Sequence, residues 1–165
     1  MKVLFAPWRS DYTKKEARTK NEDASKQECI FCQQFKENNN QKYYILKRSK
    51  NCIVILNRYP YNAGHLLILP IAHIGKLEKL SPEVRHELMD LVSQSTEIVQ
   101  NQLGAQGVNI GLNLGKAAGA GIPSHLHFHI LPRWIADSNF MPVLSQTKVI
   151  SFDLDEIYKK LKPHF

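Results

Sequence analysis

Three histidines stand two residues apart in the segment His125-Leu126-His127-Phe128-His129. Successive side chains of a β-strand point to opposite faces, so this spacing predicts three imidazoles on one face, about 6.6 Å apart, with Leu126 and Phe128 in the core. Packing gives no reason for three imidazoles in line. The pattern therefore predicts a site for chemistry on that face of the sheet.

The residues alone leave three interpretations of this histidine row open. The histidines can be solvated on an exposed sheet face, or they can bind a metal ion, although no carboxylate ligand lies nearby in the sequence. A third interpretation is a histidine nucleophile, because an imidazole with a pKa of about 6.5 attacks phosphorus at neutral pH without a dedicated base. Neighbouring imidazoles and backbone N–H groups of the small-residue loop 115–124 would then stabilise the phosphoryl oxygens.

The charge distribution points to an anionic partner. The chain of 165 residues carries 22 Lys and Arg against 15 Asp and Glu, a net charge of +7. No Asp or Glu occurs between residues 38 and 77 or between residues 98 and 136. These two carboxylate-free blocks predict an electropositive site, and they argue against paired-carboxylate chemistry and against Mg or Ca sites within them.

The length, the element pattern and the ends of the chain predict the overall organisation. We expect one α+β domain over residues 1–165, with a polar arm at residues 10–28. No apolar run approaches the roughly 20 residues of a membrane span, and the first residues make a poor signal peptide, so we expect a cytoplasmic protein.

The expected fold is an antiparallel sheet of about five strands with one long helix and a short C-terminal helix. The long helix is expected to begin after Ser81-Pro82 and to end at Gly104. The expected strands are residues 44–47, 52–56, 65–69, 108–114 and 126–131, and the expected short helices are residues 33–37 and 153–161.

The segment from Asn57 to Trp134 resembles the histidine triad superfamily, whose motif is His-φ-His-φ-His-φ-φ. Besides the histidine row, the matching residues are Asn57-Arg58-Tyr59-Pro60, Gly64-His65, Asn113 and Leu131-Pro132-Arg133. Members of that family attack the α-phosphorus of a nucleotide with the middle histidine and transfer the nucleotidyl group to water or another acceptor. The resemblance implies a nucleotide or dinucleoside polyphosphate substrate, no specific nucleic acid, and a homodimer paired through the long helix and an adjacent strand.

The resemblance also implies roles for individual residues. His127 would be the nucleophile, and His129 and His65 would contact the phosphates. Asn113 would lie beside the α-phosphate, and Asn57 would bind the ribose hydroxyls.

A second group of residues is expected around the bound nucleotide. Gly121 and Ser124 belong to the small-residue loop. An apolar pocket for the base is expected from residues near Leu56 and from Ile30-Phe31.

Further segments resemble the bacterial diadenosine tetraphosphate phosphorylases, also called ATP adenylyltransferases. These segments are Ala6-Pro7-Trp8-Arg9, Cys29-Ile30-Phe31-Cys32, and the extension through Trp134 to Asn139-Phe140. Gly121 stands where many hydrolases of the family carry glutamine, which favours inorganic phosphate as the acceptor. His129 stands where some transferases carry glutamine, which favours water, so the two residues conflict.

The expected function is therefore phosphorolysis of diadenosine tetraphosphate to ATP and ADP through an adenylyl group on His127. Three alternatives remain: hydrolysis of dinucleoside polyphosphates, hydrolysis of adenosine phosphoramidates, and a nucleotide-binding sensor.

The spacing of Cys29 and Cys32 is typical of a metal or redox site. With His73 and His125 they form a Cys2His2 set suited to tetrahedral zinc, and zinc-bearing members of the superfamily use this combination. The other interpretation is two ordinary reduced cysteines. A thioredoxin-like role lacks the βαβ unit, and a DNA-binding zinc finger has a much shorter intervening loop. We expect a structural zinc ion, and we expect Cys52 in the core.

Overall fold

The computed structural model describes residues 29–146 and 152–165, and an antiparallel five-stranded sheet forms its centre. The strands are β1 (Ile45–Arg48), β2 (Cys52–Leu56), β3 (Leu66–Pro70), β4 (Gly107–Leu112) and β5 (Phe128–Arg133). Their spatial order is β1-β2-β3-β5-β4, and all neighbours are antiparallel. The predicted α+β class and the three-stranded meander at its start are confirmed.

Four α-helices accompany the sheet in the described residues: α1 (Ile30–Lys36), α2 (Pro82–Leu103), α3 (Met141–Leu144) and α4 (Leu154–Leu161). Short 3₁₀ turns occur at Leu77–Lys79, Lys116–Ala118 and Lys162–His164. The predicted helix at residues 33–37 is corrected to Ile30–Lys36. The first turn of this helix includes Cys32, so the cysteine pair lies at a helix start.

The long helix α2 has the ends that the sequence predicts. The Ser81 hydroxyl accepts a hydrogen bond from the Val84 N–H, and Pro82 occupies the first helical position. Gly104 ends the helix with φ 63°, in the left-handed region that favours glycine. At the start of α4, the Asp153 carboxylate accepts hydrogen bonds from two backbone N–H groups.

Apolar side chains cover both faces of the sheet. One face packs against α2 and α4 and forms the larger core, which includes Val54, Leu56, Ile68, Leu88, Val99, Ile130 and Leu161. The opposite face, here called the α1 face, packs against α1 and includes Phe31, Ile45, Ile53, Ile55, Leu67 and Leu69. The central strands are therefore buried on both sides, as the fully buried β2 and β3 show.

The described residues divide into two compact units. Residues 29–135 and 152–165 form the unit that contains the sheet, and residues 136–146, with α3, belong to a second unit. The expected arm at residues 10–28 lies outside the described residues, and the expectation of one domain stays a prediction. None of the described helices combines the length and the apolar composition needed to cross a membrane.

The strand expected at residues 126–131 is shifted to Phe128–Arg133. Phe128 pairs with Ile68 of β3 and with Leu112 of β4, and both ladders end there, although β3 itself continues to Pro70. The backbone N–H of Leu126 instead donates to the Ile74 carbonyl. The histidine row therefore begins before the strand, and only His129 lies within the ladder.

Glu87 of α2 ties the long helix to the β1–β2 turn. Its carboxylate accepts hydrogen bonds from the backbone N–H groups of Asn51 and Cys52, at 2.9 and 3.0 Å, and from the Asn51 side-chain amide at 2.7 Å. Hydrogen bonds to a charged acceptor contribute more than neutral ones. The helix is thereby fixed in register with the first hairpin.

We predict that Glu87→Ala lowers the free energy of unfolding by about 2 kcal/mol, because several donors lose a charged acceptor. The matched control is Glu97→Ala on an exposed position of the same helix, where a change of less than about 0.5 kcal/mol is expected. Urea unfolding of both variants measures the difference. Equal losses in the two variants would show that the Glu87 contacts do not stabilise the fold.

Candidate active site and metal-ligand cluster

A tight turn between β2 and β3 places His65 beside the histidine row. Gly64 in this turn has φ 67°, and a Cβ added to it would lie 2.3 Å from the Leu103 side chain. The side-chain amide of Asn62 donates to the Pro132 carbonyl at 3.1 Å, which fastens the turn to β5. His65 is thereby completely buried.

His65 and His129 form a hydrogen-bonded imidazole pair. The distance between His65 Nε2 and His129 Nδ1 is 2.9 Å. On its other side, His65 Nδ1 accepts from the Tyr61 backbone N–H at 3.2 Å and lies 3.3 Å from the Asn57 amide nitrogen. Burial, and secondarily the neighbouring histidines, lower the pKa of His65 to about 3, so it is neutral at pH 7.

His127 is held with one ring nitrogen directed into the protein. Its Nδ1–H donates to the His125 carbonyl at 2.9 Å, so the lone pair of the neutral ring is on Nε2. Only 7% of His127 is exposed, and burial lowers its pKa. Its ring lies 5.0 Å from the His129 ring and 5.4 Å from Phe31. The arrangement is a neutral imidazole with its unprotonated nitrogen at Nε2.

The four predicted metal ligands, Cys29, Cys32, His73 and His125, come together in one cluster. One ligand atom from each lies within 4.8 Å of all the others. The sulfur-to-Nδ1 distances are 3.4 Å for Cys29–His125, 3.4 Å for Cys32–His73 and 3.6 Å for Cys32–His125.

These distances match the requirements of a tetrahedral Cys2His2 site. Zinc bonds of about 2.0 Å to nitrogen and about 2.3 Å to sulfur place neighbouring ligand atoms about 3.5 Å apart. His125 Nε2–H donates to the Pro70 carbonyl at 2.8 Å, which leaves Nδ1 unprotonated and directed at the thiols. The residues present therefore suit a zinc ion, and the described part of the chain gathers no other such group of ligands.

Other residues predicted to bind the nucleotide lie in or beside the small-residue loop, or beside His65. Asn113 donates weakly to the Gly119 carbonyl, at 3.5 Å, and so contacts the small-residue loop. Gly121 is half-buried in that loop, and Ser124 is exposed next to the buried His125. The side-chain oxygen Oδ1 of Asn57 accepts from the Tyr59 N–H, so the side-chain NH2 group of Asn57 faces His65.

The placement of Leu56 is a correction. Leu56 is 1% exposed and packs in the core beneath α2, on the face opposite the histidines. Its neighbour Ile55 pairs with Leu67, which in turn pairs with His129, so Ile55 lies on the histidine face. All five residues of β2 are apolar and buried, so alternation gave no signal that could separate the two faces.

The structure places two aromatic residues, Phe31 and Tyr61, against the histidines of the site. Phe31, expected near the base, packs its ring edge against both His125 and His127, whereas the neighbouring Ile30 is exposed. Tyr61, to which we assigned no role, covers His65 and His129. Its position in the Tyr59–Gly64 turn, just before Gly64-His65, was the available signal.

A family model described as the HIT domain matches residues 37–134. That region is more than half of the chain, so the chain belongs to the histidine triad (HIT) family and is an enzyme of the nucleotidyltransferase or hydrolase type. A crystal structure described as a Zn-bound histidine triad family protein from Mycobacterium smegmatis is similar, with a TM-score of 0.67 and 25% identity. The match covers 82% of this chain and 91% of that one.

The sequence relatives place the chain in one branch of the family. AP-4-A phosphorylase of Mycobacterium tuberculosis is 31% identical over 147 residues, which cover 89% of this chain and 75% of that protein. Bis(5'-nucleosyl)-tetraphosphatase of Schizosaccharomyces pombe is 31% identical over 93 residues, which cover 56% of this chain and 50% of that protein. The longer match links the chain to the AP-4-A phosphorylase branch.

Proposed function

We propose that the protein cleaves diadenosine tetraphosphate with inorganic phosphate, giving ATP and ADP. The observation that carries this proposal is the hydrogen bond from His127 Nδ1–H to the His125 carbonyl, which makes Nε2 the nucleophilic nitrogen. Burial keeps this imidazole neutral, and the surrounding carboxylate-free blocks favour an anionic substrate. The similarity to AP-4-A phosphorylase supports the choice of substrate.

In the first step, His127 Nε2 attacks the α-phosphorus of one adenylyl group. The N–P bond forms, the bond from phosphorus to the bridging oxygen breaks, and ATP leaves with the electron pair of that bond. A polyphosphate leaving group needs little protonation. His129, whose Nδ1 accepts from His65, would carry its proton on Nε2 and donate it in a hydrogen bond to a phosphoryl oxygen.

In the second step, an oxygen of inorganic phosphate attacks the adenylyl group on His127. The new P–O bond forms, the N–P bond breaks and returns its electron pair to Nε2, and ADP leaves. Histidine is regenerated in its neutral form, so the two steps balance as diadenosine tetraphosphate plus phosphate giving ATP plus ADP.

Around the nucleophile we propose a nucleotide site on the α1 face of the sheet. The loop 115–124, which Asn113 contacts at Gly119, would bind the phosphates through backbone N–H groups, with Gly121 and Ser124 at its end. Asn57 would bind the ribose, and the exposed Ile30 would contact the base.

Hydrolysis is the second candidate function. His129 occupies the position where some transferases of the family carry glutamine, and the fission-yeast relative is named as a tetraphosphatase. In this reaction water replaces phosphate in the second step, and the products are AMP and ATP.

We propose that the Cys29, Cys32, His73 and His125 cluster binds a structural zinc ion. Two thiolates and two imidazoles at these separations form a closed tetrahedral set, which is typical of structural sites. A bound ion would tie α1 to the residue that orients His127. Reduced thiols of this kind are typical of a reducing compartment, so a cytoplasmic location is part of the proposal.

We also propose that two chains pair through β4 and α2. In the described residues β4 pairs only with β5, so its outer edge presents backbone hydrogen-bonding groups. Beside this edge, Ile110 is 50% exposed and Met89 of α2 is 56% exposed. A second copy of the same surface would bury both side chains and extend the sheet.

The first test follows the products as phosphate is added. Without phosphate, diadenosine tetraphosphate should give slow formation of AMP and ATP, and with phosphate the products should change to ADP and ATP. His127→Ala should lower kcat by about three orders of magnitude or more while nucleotide affinity is retained. Products that stay AMP and ATP at all phosphate concentrations would assign the hydrolase function, and activity that survives in His127→Ala would exclude the histidine nucleophile.

The zinc proposal predicts how the three cysteines react with a thiol reagent at pH 8. Cys52 is buried, and burial together with Glu87 raises its pKa to about 12, so it should react only after unfolding. Cys29 and Cys32 should be protected in the protein as purified and should react once a chelator is added. Cys52→Ala, the control, should lose only the thiol that appears on unfolding. Metal analysis well below one zinc per chain would contradict the proposal.

The dimer proposal predicts that Ile110→Asp yields monomers in sedimentation experiments, because a carboxylate would be buried in the interface. The control is Ile71→Asp, another exposed isoleucine, which should leave the dimer intact. A wild-type protein that sediments as a monomer at micromolar concentration would refute the pairing.

A further inference from the structure

The ring of Tyr61 contacts both members of the His65–His129 pair, although the reaction proposed above gives it no role. The ring is nearly parallel to that of His129, with an interplanar angle of 16° and a centroid distance of 6.1 Å. It lies closer to His65, at 4.8 Å and 42°. Both distances fall in the range in which aromatic rings attract each other.

The backbone of the same residue determines where His65 carries its proton. His65 Nδ1 faces two donors, the Tyr61 N–H and the Asn57 amide, and the Asn57 amide is oriented because its oxygen accepts from Tyr59. A nitrogen that accepts hydrogen bonds cannot carry the proton of a neutral imidazole, so the proton of His65 is on Nε2.

The proton position on His65 determines the proton position on His129. His65 Nε2–H donates to His129 Nδ1 at 2.9 Å, so neutral His129 must carry its proton on Nε2. An N–H at this position donates to an anionic phosphoryl oxygen, whereas the other tautomer would direct a lone pair at it. The turn before His65 thus determines whether His129 attracts or repels the substrate.

On the β4 side, the residue directly opposite His129 is Gly111, which has no side chain of its own. Among the described residues, a Cβ at Gly111 would find no atom within 4 Å. The Tyr61 ring, stacked at 16° to the imidazole, supplies an aromatic contact that fixes the plane of this histidine.

We propose that Tyr61 is a positioning residue: its ring and its backbone N–H together hold the His65–His129 pair in the arrangement that presents His129 Nε2–H to the substrate. The proposal rests on the proposed function, in which His129 donates to a phosphoryl oxygen. Tyr61 acts through the two histidines and takes no part in proton transfer.

Two-bond proton–nitrogen NMR correlations of the imidazole rings test the arrangement without any turnover. In the wild-type protein at pH 7.5, His65 and His129 should both show a protonated Nε2 and an unprotonated Nδ1. Tyr61→Phe, which keeps the ring, should leave this pattern unchanged. Tyr61→Ala keeps the backbone N–H but removes the ring that fixes the plane of His129. The His129 ring should then rotate out of the hydrogen bond from His65 and show both tautomers, while His65 keeps its proton on Nε2.

The same variants separate positioning from binding in steady-state kinetics with diadenosine tetraphosphate. Tyr61→Ala should lower kcat by about tenfold to a hundredfold with a change in KM of less than about twofold, and Tyr61→Phe should restore the wild-type kcat. Ile71→Ala, at an exposed residue outside this turn, is the control and should change neither the spectrum nor kcat.

A wild-type spectrum with the proton of His65 on Nδ1 overturns the proposal, and so does a Tyr61→Ala protein with wild-type tautomers and wild-type kcat. If circular dichroism shows that Tyr61→Ala does not fold, the wild-type spectrum and the Tyr61→Phe variant still test the proposal. A wild-type protein that fails to cleave diadenosine tetraphosphate overturns the proposed function, whereas the tautomers report on Tyr61 independently.

Discussion

The hydrogen bond from His125 Nε2–H to the carbonyl of Pro70 connects the three parts of the site. It directs His125 Nδ1 at the sulfur of Cys29, 3.4 Å away, while the His125 carbonyl accepts from His127 Nδ1–H at 2.9 Å. Because His125 is completely buried, losing the Pro70 acceptor would leave a polar group unpaired in the core, at a cost of about 1–3 kcal/mol. The end of β3, the cysteine cluster and the orientation of His127 therefore depend on one another.

Burial keeps His65 and His127 uncharged, and the charge pattern of the chain supports this. Desolvation lowers the pKa of both His65 and His127, whereas a nearby carboxylate would raise it and favour imidazolium. The two carboxylate-free blocks exclude such a neighbour from the strands and loops that carry the site. Glu87, the acid that contacts the first hairpin, comes from α2, on the other face of the sheet. The same composition thus attracts an anionic ligand and preserves neutral imidazoles.

Local signals in the sequence predicted most of the fold. The Ser81-Pro82 cap, the Gly104 end of α2 and the meander of β1 to β3 are correct because each depends on nearby residues and on one periodicity. The start of β5 was wrong because it depends on pairing with two distant strands, and the ladders to β3 and β4 both end at Phe128. Leu56 was expected near the base, but the sequence could not assign it to a face, because β2 is apolar throughout and its two faces differ only in what packs on them.

The sequence by itself determined which groups are available: three alternating histidines, a Cys-x-x-Cys pair, a small-residue loop, and their separation from carboxylates. Only the tertiary structure decided how these groups meet, since Cys29 and His125 are 96 residues apart and His65 and His129 are 64 apart. It also decided the direction of each hydrogen bond, from Tyr61 through His65 to His129. That direction depends on which donor faces which ring nitrogen in space, a property that residue spacing does not contain.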